Sequence, residues 1–229
     1  MHLLLPDDRR LPLDFEPLLT LARDPERFHV QEIVDQLNAG GHREMALAAA
    51  GGTVLDLGAN VGLFSLYMAS LARTVYALEP SPEHFHALCE VLRTTGVRNV
   101  VPIQKAVWIA NGPKRFYQNE NRTADSFFPI GPRAAISVEC IRLQQLFDDY
   151  GIDEAALVKM DIEGAEVDIL RDAGFPEAAR RIRSLYLECH NFKEWGDGDL
   201  LVREMAAILA KAFPRVQQTG TNNLYATRT

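Results

Sequence analysis

One decapeptide sets the expected fold: TVLDLGANVG, at residues 53–62. Its first half, Thr53–Leu57, is a short apolar run, which is typical of a strand buried in a parallel sheet. Gly58 follows at once and permits a tight turn, and from Val61 to Ala72 the apolar residues recur at helical spacing. The decapeptide therefore predicts a strand, a turn and the start of a helix, which together open a βαβ unit.

The alternation of strands and helices continues along the chain and predicts a doubly wound α/β sheet. Further predicted strands of this sheet are Thr74–Leu78, Val100–Gln104, Leu157–Met160, Ser184–Leu187, Arg215–Thr219 and Leu224–Thr227. Because the last two flank the turn residues Gly220–Asn223, they predict a hairpin, and the sheet is expected to end in an antiparallel strand. Lys114–Gln118 and Ala135–Ile141 break the rhythm and predict an inserted antiparallel strand pair.

Helices are predicted between the strands, and one of them has a clear start. Ser81 is a good N-cap and Pro82 suits the first helical position. Other predicted helices are Val61–Ala72, Leu143–Tyr150, Gly164–Asp172 and Asp199–Phe213. Residues 1–50, which end in a helix at His42–Ala50, predict an N-terminal cap of short helices, and residues 51–229 form the main domain.

The composition is that of a globular chain with room for one α/β domain. Of its 229 residues, 47% are hydrophobic and 24% are charged. The formal net charge is -7 and the sequence has no dense cluster of lysine and arginine, which argues against nucleic acid as a partner. The three cysteines, Cys89, Cys140 and Cys189, are predicted to be buried free thiols.

The hydropathy pattern predicts neither a membrane protein nor a secreted one. No apolar stretch approaches the length of a membrane span. The apolar run Leu3–Leu5 is too short for a signal peptide, so the expected location is the cytoplasm.

The turn after the first strand favours one kind of nucleotide ligand. In an open α/β sheet, nucleotides bind at the carboxyl end of such a strand, against the next helix N-terminus. A dinucleotide fingerprint needs three glycines, but Asn60 and Leu63 occupy its second and third positions. The remaining pattern, from Asp56 to Gly62, suits S-adenosylmethionine (SAM), because a carboxylate tolerates an ammonium and a sulfonium but repels a pyrophosphate.

Glu79 adds a ribose site to this prediction. It ends the second strand, 21 positions after Gly58, where an acidic side chain can accept hydrogen bonds from both ribose hydroxyls. Pro80 and Ser81 then turn the chain across the ligand. NAD and SAM sites share the acidic residue, so Glu79 indicates an adenosine ribose and leaves the choice of cofactor to the turn.

Three motifs, in this order and spacing, resemble the FkbM family of SAM-dependent methyltransferases. They are VLDLGANVGLFS at Val54–Ser65, ALEPSPEHF at Ala77–Phe85 and VKMDIEGAEVDIL at Val158–Leu170. The third motif is the most specific of them. The resemblance spans residues 42–190 and implies a class I methyltransferase, a Rossmann-like sheet of about seven strands, with O-methyl transfer as the usual activity.

The resemblance also assigns residues to the site. It places Asp161 and Glu163 on the floor of the active site. The predicted cofactor-binding residues are Asp56, Gly58, Ala59, Asn60, Gly62, Glu79, Pro80, Ser81, Ala106 and Asp161. The loop Asn119–Ser126 has a loose likeness to a loop of the family and is expected to contact the methyl acceptor.

The carboxyl ends of the fourth and fifth strands are expected to bring Asp161, Glu163, Glu188 and His190 together. His190, Asp161 and Glu163 are the predicted catalytic residues, and three functional interpretations stay open. His190 is a general base, or the carboxylates orient the sulfonium, or Asp161, Glu188 and His190 hold a divalent metal, which is the least favoured. A structural interpretation makes Glu163 and Glu166 acids that stabilise a helix N-terminus.

Three further polar side chains receive weaker predictions. Lys159 is expected to pair with a carboxylate on the helix layer in a structural role. His84 is predicted to lie at the surface or beside the ribose, and His42, in the cap, is a candidate for the substrate pocket.

The sequence as a whole predicts an enzyme that methylates a hydroxyl or carboxyl group of a small molecule. One alternative keeps SAM and changes the acceptor to an amine, and another is a SAM-binding protein without catalysis. An NAD-dependent oxidoreductase is disfavoured by Asn60 and Leu63. The sequence does not indicate the oligomeric state.

Overall fold

The structure is a computed structural model, and it describes residues 2–12, 34–35, 37–38, 42–118, 125–129, 134–191 and 198–228. Most of the predicted N-terminal helices and most of the loop Asn119–Ser126 lie outside these residues. The parts of those segments that are described include Val34 and Leu37, which are helical and buried, and Asp125 and Ser126.

The described strands and helices follow the predicted alternation. The strands are β1 (His2–Leu4), β2 (Arg10–Pro12), β3 (Thr53–Leu57), β4 (Thr74–Leu78), β5 (Val100–Ile103), β6 (Ala106–Val107), β7 (Gly112–Gln118), β8 (Ala134–Ile141), β9 (Leu157–Met160), β10 (Ser184–Glu188), β11 (Arg215–Gln218) and β12 (Asn223–Thr227). The helices are α1 (Arg43–Ala48), α2 (Leu63–Ala69), α3 (Pro82–Thr95), α4 (Leu143–Asp149), α5 (Ala165–Arg171), α6 (Phe175–Ala179) and α7 (Gly198–Leu209).

A seven-stranded sheet forms the centre of the fold, in the order β11-β12-β10-β9-β3-β4-β5. The strands from β10 to β5 run parallel, and β12 pairs antiparallel with both β10 and β11. This confirms the predicted doubly wound sheet and its antiparallel last strand. The antiparallel strand lies one position in from the edge, because β11 occupies the edge itself.

Two apolar layers cover the sheet, one on each face. Alternate residues of β3 enter different layers: Val54 packs with α2 and α3, whereas Leu55 and Leu57 pack with α4, α5 and α7. Burial on both faces explains why the central strands read as continuous apolar runs. The short helix α6 was not predicted, because Phe175–Ala179 is too brief to show a helical period.

The inserted antiparallel pair is confirmed as β7 and β8, which align from Gly112 opposite Cys140 to Gln118 opposite Ala134. With β6, which pairs parallel to β8, they form a separate three-stranded sheet beside the main one. The three cysteines are free, as predicted; Cys140 and Cys189 are buried, and Cys89 is half-buried.

Residues 2–12 correct the prediction of short helices. They form an antiparallel hairpin of β1 and β2, with Asp8 at a left-handed φ of 65° in its turn. Leu3 is fully buried, and the side chain of Asn38 binds the backbone of β1, accepting from Leu4 N at 2.6 Å and donating to His2 O at 3.0 Å. Among the described helices, none is long and apolar enough to cross a membrane.

Candidate active site

The turn after β3 is shaped by its glycines. Gly58 has φ 81°, and a Cβ atom there would lie 1.9 Å from the backbone oxygen of Asp161 at the end of β9. Gly62 has φ 87°, and its Cβ would lie 2.3 Å from Leu88 of α3. A tight turn was the expected reason for Gly58. The structure adds another reason, since both glycines face other parts of the chain.

The end of β4 is tied to this turn through Glu79. One carboxylate oxygen of Glu79 accepts from Asn60 N at 2.8 Å, and the other accepts from Ser81 N at 2.9 Å. Asn60 itself has a left-handed φ of 51°, and its side chain accepts from Val61 N at 2.7 Å. A carboxylate offers about four acceptor positions, so Glu79 can still accept hydrogen bonds from a ligand.

His84, on α3, lies beneath Glu79 and is 2% exposed, which excludes the surface position that was one of its predicted places. Its Nδ1 is 3.7 Å from a Glu79 oxygen. Burial alone would lower the pKa of His84, but the hydrogen bond and charge of Glu79, with the charge of Asp125, raise it above its ordinary value. The charge of Glu79 therefore favours the protonated form of His84, which also lines the cavity.

Lys159 links β3 to the end of β9. Its Nζ donates to Asp161 at 2.9 Å and lies 3.7 Å from Asp56, its neighbour across the parallel pair. The prediction that Lys159 pairs with a carboxylate on the helix layer is wrong, because Asp56 lies in β3 and Asp161 directly follows β9. Burial alone would lower the pKa of Lys159, but the charges of Asp161 and Asp56 raise it above its ordinary value.

Asp56 lies below the cavity floor and is 0% exposed. Its second carboxylate oxygen accepts from Ser65 Oγ at 2.6 Å. Burial raises the pKa of Asp56, although Lys159 and Ser65 oppose that shift. Asp161, by contrast, has a pKa below its ordinary value: burial would raise it, but the charges of Lys159 and His190 outweigh burial.

His190 lies among four carboxylates just after β10. Its Nδ1 is 3.1 Å from Glu166, and its Nε2 is 3.8 Å from Glu163, 3.8 Å from Glu188 and 3.9 Å from Asp161. Glu166 is fully buried and also accepts from Ile162 N and Gly164 N, at 2.7 and 2.8 Å. The prediction that these side chains converge is confirmed by this geometry.

The titration of this cluster differs from the sequence expectation for His190. Burial alone would lower the pKa of His190, but the hydrogen bond and charge of Glu166, with the charges of Glu163 and Asp161, raise it to about 10. Burial is also the main reason that the pKa of Glu163 rises to about 8, while the charge of His190 opposes the rise. At neutral pH the cluster thus contains a charged imidazole, His190, and a largely protonated carboxyl group, Glu163, that ionises about one pH unit higher.

One cavity of about 310 Å³ joins both ends of this region. Of the residues predicted for the cofactor, catalysis or a metal, those that line it are Gly58, Ala59, Asn60, Glu79, Pro80, Ala106, Asp161, Glu163, Glu188 and His190. Asp56, Gly62 and Ser81 lie behind the wall; Asp56 and Ser81 are fully buried, and Gly62 is N-cap of α2.

Several lining residues were missed or underrated by sequence reasoning. Lys159, Tyr186 and Asp125 face the cavity, as does His42. The pleat gives the signal for two of them, since Lys159 and Tyr186 are paired across β9 and β10 and therefore lie on the same face. His42 forms edge contacts with Tyr186 and Phe64, and burial, then Lys159, lowers its pKa to about 4.

Three side chains of the cavity also have the spacing of a metal site. Ligand atoms of Asp161, Glu163 and His190 lie within 4.8 Å of one another. The metal set suggested by the sequence contained Glu188 in place of Glu163. Binding of a metal there would require His190 to lose a proton, because only the neutral imidazole is a metal ligand.

The groups on the cavity fit SAM. Glu79 can meet ribose hydroxyls, and the carboxylates at the other end can lie beside a sulfonium. The sheet order, with a polar cavity at the carboxyl ends of β3, β4, β9 and β10, defines a class I SAM-dependent methyltransferase. The model of the FkbM methyltransferase domain matches residues 56–216. The chain therefore belongs to the FkbM methyltransferase family, which confirms the resemblance of the three motifs.

Individual relatives are similar over part of their length. The chain is 24% identical over 136 residues to the hexuronic acid methyltransferase AglP of Haloferax volcanii, which covers 59% of this chain and 54% of that protein. It is 27% identical over 154 residues to the methyltransferase sdnD of Sordaria araneosa, covering 52% and 59%. A solved structure, methyltransferase FkbM from Methylobacillus flagellatus KT, is 17% identical with a TM-score of 0.49, covering 92% and 58%. The chain thus spans a little over half the length of each of these relatives.

Proposed function

We propose that this chain transfers the methyl group of SAM to an oxygen of a small polar molecule, most favourably a hydroxyl oxygen. The observation that carries the proposal is the single cavity that runs from Glu79, at the end of β4, to the cluster around His190, after β10. Its volume of about 310 Å³ lies in the range of small-molecule sites.

The β3–β4 half of the cavity is proposed to hold the cofactor. The turn at Gly58–Asn60 would meet the amino acid part, Glu79 the ribose, and Pro80 and Ala106 the base. Glu79 is fixed for this role by the two hydrogen bonds that it accepts from backbone N–H groups. When bound there, SAM supplies the methyl group.

The β9–β10 half is proposed to hold the methyl acceptor, with Asp161, Glu163 and His190 as the catalytic residues. Asp161 is held in one orientation by Lys159, and His190 is held by Glu166, so neither has to rearrange to meet a substrate. Holding an acceptor in line with the methyl group is itself a proximity effect of roughly 7–11 kcal/mol in well-oriented systems.

The charges of this half favour a neutral acceptor. Asp161, Glu163 and Glu188 line it together with the cations Lys159 and His190, so its charges largely balance, and a neutral hydroxyl would meet both hydrogen-bond acceptors and donors. An amine acceptor is the second candidate, because the same carboxylates would attract an ammonium. The relative AglP is named for a hexuronic acid, which makes sugars and their acids the first compounds to test.

The test combines binding with turnover. Calorimetry measures the affinity for SAM, and S-adenosylhomocysteine release is then followed with methyl glucoside, glucuronic acid and glucosamine, three similar rings that differ in charge. We expect micromolar SAM binding and most turnover with the neutral ring. Methylated nitrogen in the glucosamine product would favour the amine candidate. SAM binding without turnover over a wider panel of small molecules would favour a binding protein.

The N-terminal region is proposed to close the cavity as a cap, with residues 51–229 as the methyltransferase domain. Leu37 and His42 both line the cavity, and His42 lies against Tyr186 of β10. A location in the cytoplasm is proposed on the sequence alone.

A further inference from the structure

We propose that Glu163, and not His190, accepts the proton from the acceptor hydroxyl, and that His190 serves as a fixed positive charge beside it. This inference rests on the proposed function and assigns separate roles to two residues that the sequence placed together as catalytic. It rests on the four carboxylates around His190, because each of them has different hydrogen-bond and ion-pair partners.

The position of His190 makes it a poor proton acceptor. Glu166 holds the Nδ1 side at 3.1 Å, and carboxylate oxygens of Asp161, Glu163 and Glu188 surround the Nε2 side at 3.8–3.9 Å. A ring between so many negative charges retains both protons, and its pKa of about 10 agrees with this. An imidazolium can donate a hydrogen bond to the acceptor oxygen, but it cannot take up a proton.

Three of the four carboxylates are committed to other partners. Asp161 accepts from the buried ammonium of Lys159 at 2.9 Å, which keeps it ionised and weakly basic. Glu166 is fully buried behind His190 and accepts from two backbone N–H groups. Glu188 accepts from Asn222 Nδ2 at 3.3 Å.

Glu163 is the fourth, and its geometry differs. It lines the cavity, and among the described residues its side chain forms an ion pair with His190 alone, at 3.8 Å. Its backbone has a left-handed φ of 56°, a conformation that non-glycine residues adopt at a cost and that is enriched at functional sites. Charged groups face it from three sides: Asp161 on its own loop, Glu166 on α5, and Glu188 and His190 at the end of β10.

The proton transfer is balanced as follows. The acceptor O–H bond breaks, its proton goes to a Glu163 oxygen, and the electron pair remains on the acceptor oxygen, which forms the new bond to the methyl carbon. The carboxylic acid then loses its proton to solvent. In the free protein Glu163 is largely protonated at pH 7, because its pKa is about 8. A positive charge brought into the cavity lowers that pKa, so the ionised base is favoured when the sulfonium is bound.

The first test is a titration by NMR, which needs no acceptor. Carbon-13 in the side-chain carboxyl of glutamate reports Glu163, assigned with Glu163→Gln, and nitrogen-15 in the imidazole reports His190. We expect Glu163 to titrate near pH 8 and His190 to stay protonated at pH 8. SAM should lower the Glu163 midpoint by about half a pH unit or more relative to S-adenosylhomocysteine, which lacks the positive charge. A midpoint below pH 5 for Glu163 with a neutral His190 at pH 7 would overturn the proposal.

The second test is kinetic and uses whichever ring compound the wild type methylates. Glu163→Gln should reduce kcat/KM by about 10²–10⁴-fold with SAM affinity within threefold, and the rise of the rate between pH 6 and 9 should disappear. The matched control, Glu139→Gln, changes an exposed residue of β8 and should retain wild-type kinetics. His190→Asn should lower the rate and keep a rate that rises with pH, but the rise should move to higher pH, because loss of the imidazolium raises the pKa of Glu163.

Two results contradict the assignment. One is a Glu163→Gln variant that keeps more than a third of wild-type kcat/KM. The other is a rate that EDTA abolishes and Mn²⁺ restores, because the proton would then leave under the influence of a metal. Failure to find any methyl acceptor bears on the proposed function alone, and the titration still decides the protonation states of Glu163 and His190.

Discussion

The two halves of the cavity hold their polar groups in different ways. In the β3–β4 half, Glu79 is fixed by the backbone N–H groups of Asn60 and Ser81, and glycine at 58 brings the turn against the end of β9. In the β9–β10 half, side chains hold one another: Lys159 holds Asp161, and Glu166 holds His190. Backbone contacts thus hold the polar group of the first half, whereas ion pairs make the second half respond to protonation and to charge on a ligand.

The largest effect is expected from breaking the backbone arrangement at Gly58. In Gly58→Val, the side chain would overlap the oxygen of Asp161, and a β-branched residue would have to adopt φ 81°. We expect the free energy of unfolding to fall by more than about 4 kcal/mol, measured by denaturant titration, with loss of SAM binding.

Gly96→Val is the matched control for this variant. Gly96 also has a left-handed φ, 69°, but a Cβ there meets nothing within 4 Å. The conformational cost alone should then be about 1–2 kcal/mol. Equal losses in the two variants would show that the close approach of the β3 turn to Asp161 is unimportant.

The second effect tests the ion pairs of the other half. Lys159→Met removes the cation between Asp56, which is fully buried, and Asp161, which is half-buried. Breaking a buried pair in this way costs about 3–5 kcal/mol. Urea unfolding at pH 7 measures the loss, and a loss below 1 kcal/mol would contradict the role given to Lys159.

The pH dependence of that loss has a definite sign. The pKa of Asp161 is lowered in the folded protein, so its contribution to stability is present above the unfolded value of about 3.9 and is lost as the pH falls through the lower folded value. The difference between wild type and Lys159→Met should therefore be largest near pH 7 and shrink below about pH 4. An unchanged difference at pH 3.5 would indicate lost packing instead of lost charge.

The same division explains what the sequence could predict. The central strands were predicted almost to the residue. Strands such as Thr53–Leu57 and Leu157–Met160 are buried on both faces and therefore form apolar runs that can be recognised without knowing which strands pair with them. The hairpin β1–β2 was missed, since each of its strands has only three residues, too few to show the alternation typical of a strand. The insertion forms a separate sheet with β6. This was missed because β6, Ala106–Val107, is too short to recognise as a strand.

The site followed the same rule. Asn60 and Glu79 are brought together by a local strand–turn–helix pattern, so they could be found by spacing. The positive charge of His190 could not, because it results from carboxylates that come from β9, β10 and α5. Lys159 was misplaced for the same reason: its partner Asp56 lies more than a hundred residues away and is set opposite it by strand register.

A smaller effect is expected at Glu79, where the backbone contacts can be weakened without a steric clash. Glu79→Gln keeps the shape but replaces one acceptor oxygen by a donor that faces a backbone N–H. The turn and the ribose site should both suffer, and SAM affinity by calorimetry should fall about 10–100-fold. Glu83→Gln, an exposed position in the first turn of α3, is the control and should bind SAM within twofold of wild type.

The smallest effect concerns Asp56, which the sequence placed beside the cofactor and which lies beneath the cavity. Ser65→Ala removes the 2.6 Å hydrogen bond to its carboxylate, and we expect a stability loss of about 1–2 kcal/mol with SAM affinity within threefold. Ser70→Ala, whose hydroxyl bonds a carbonyl of its own helix at 2.9 Å, controls for loss of a serine and should cost less. A tenfold loss of SAM affinity in Ser65→Ala would mean that Asp56 acts on the ligand. The β3–β4 half would then depend on buried charge, as the β9–β10 half does, and not on backbone contacts alone.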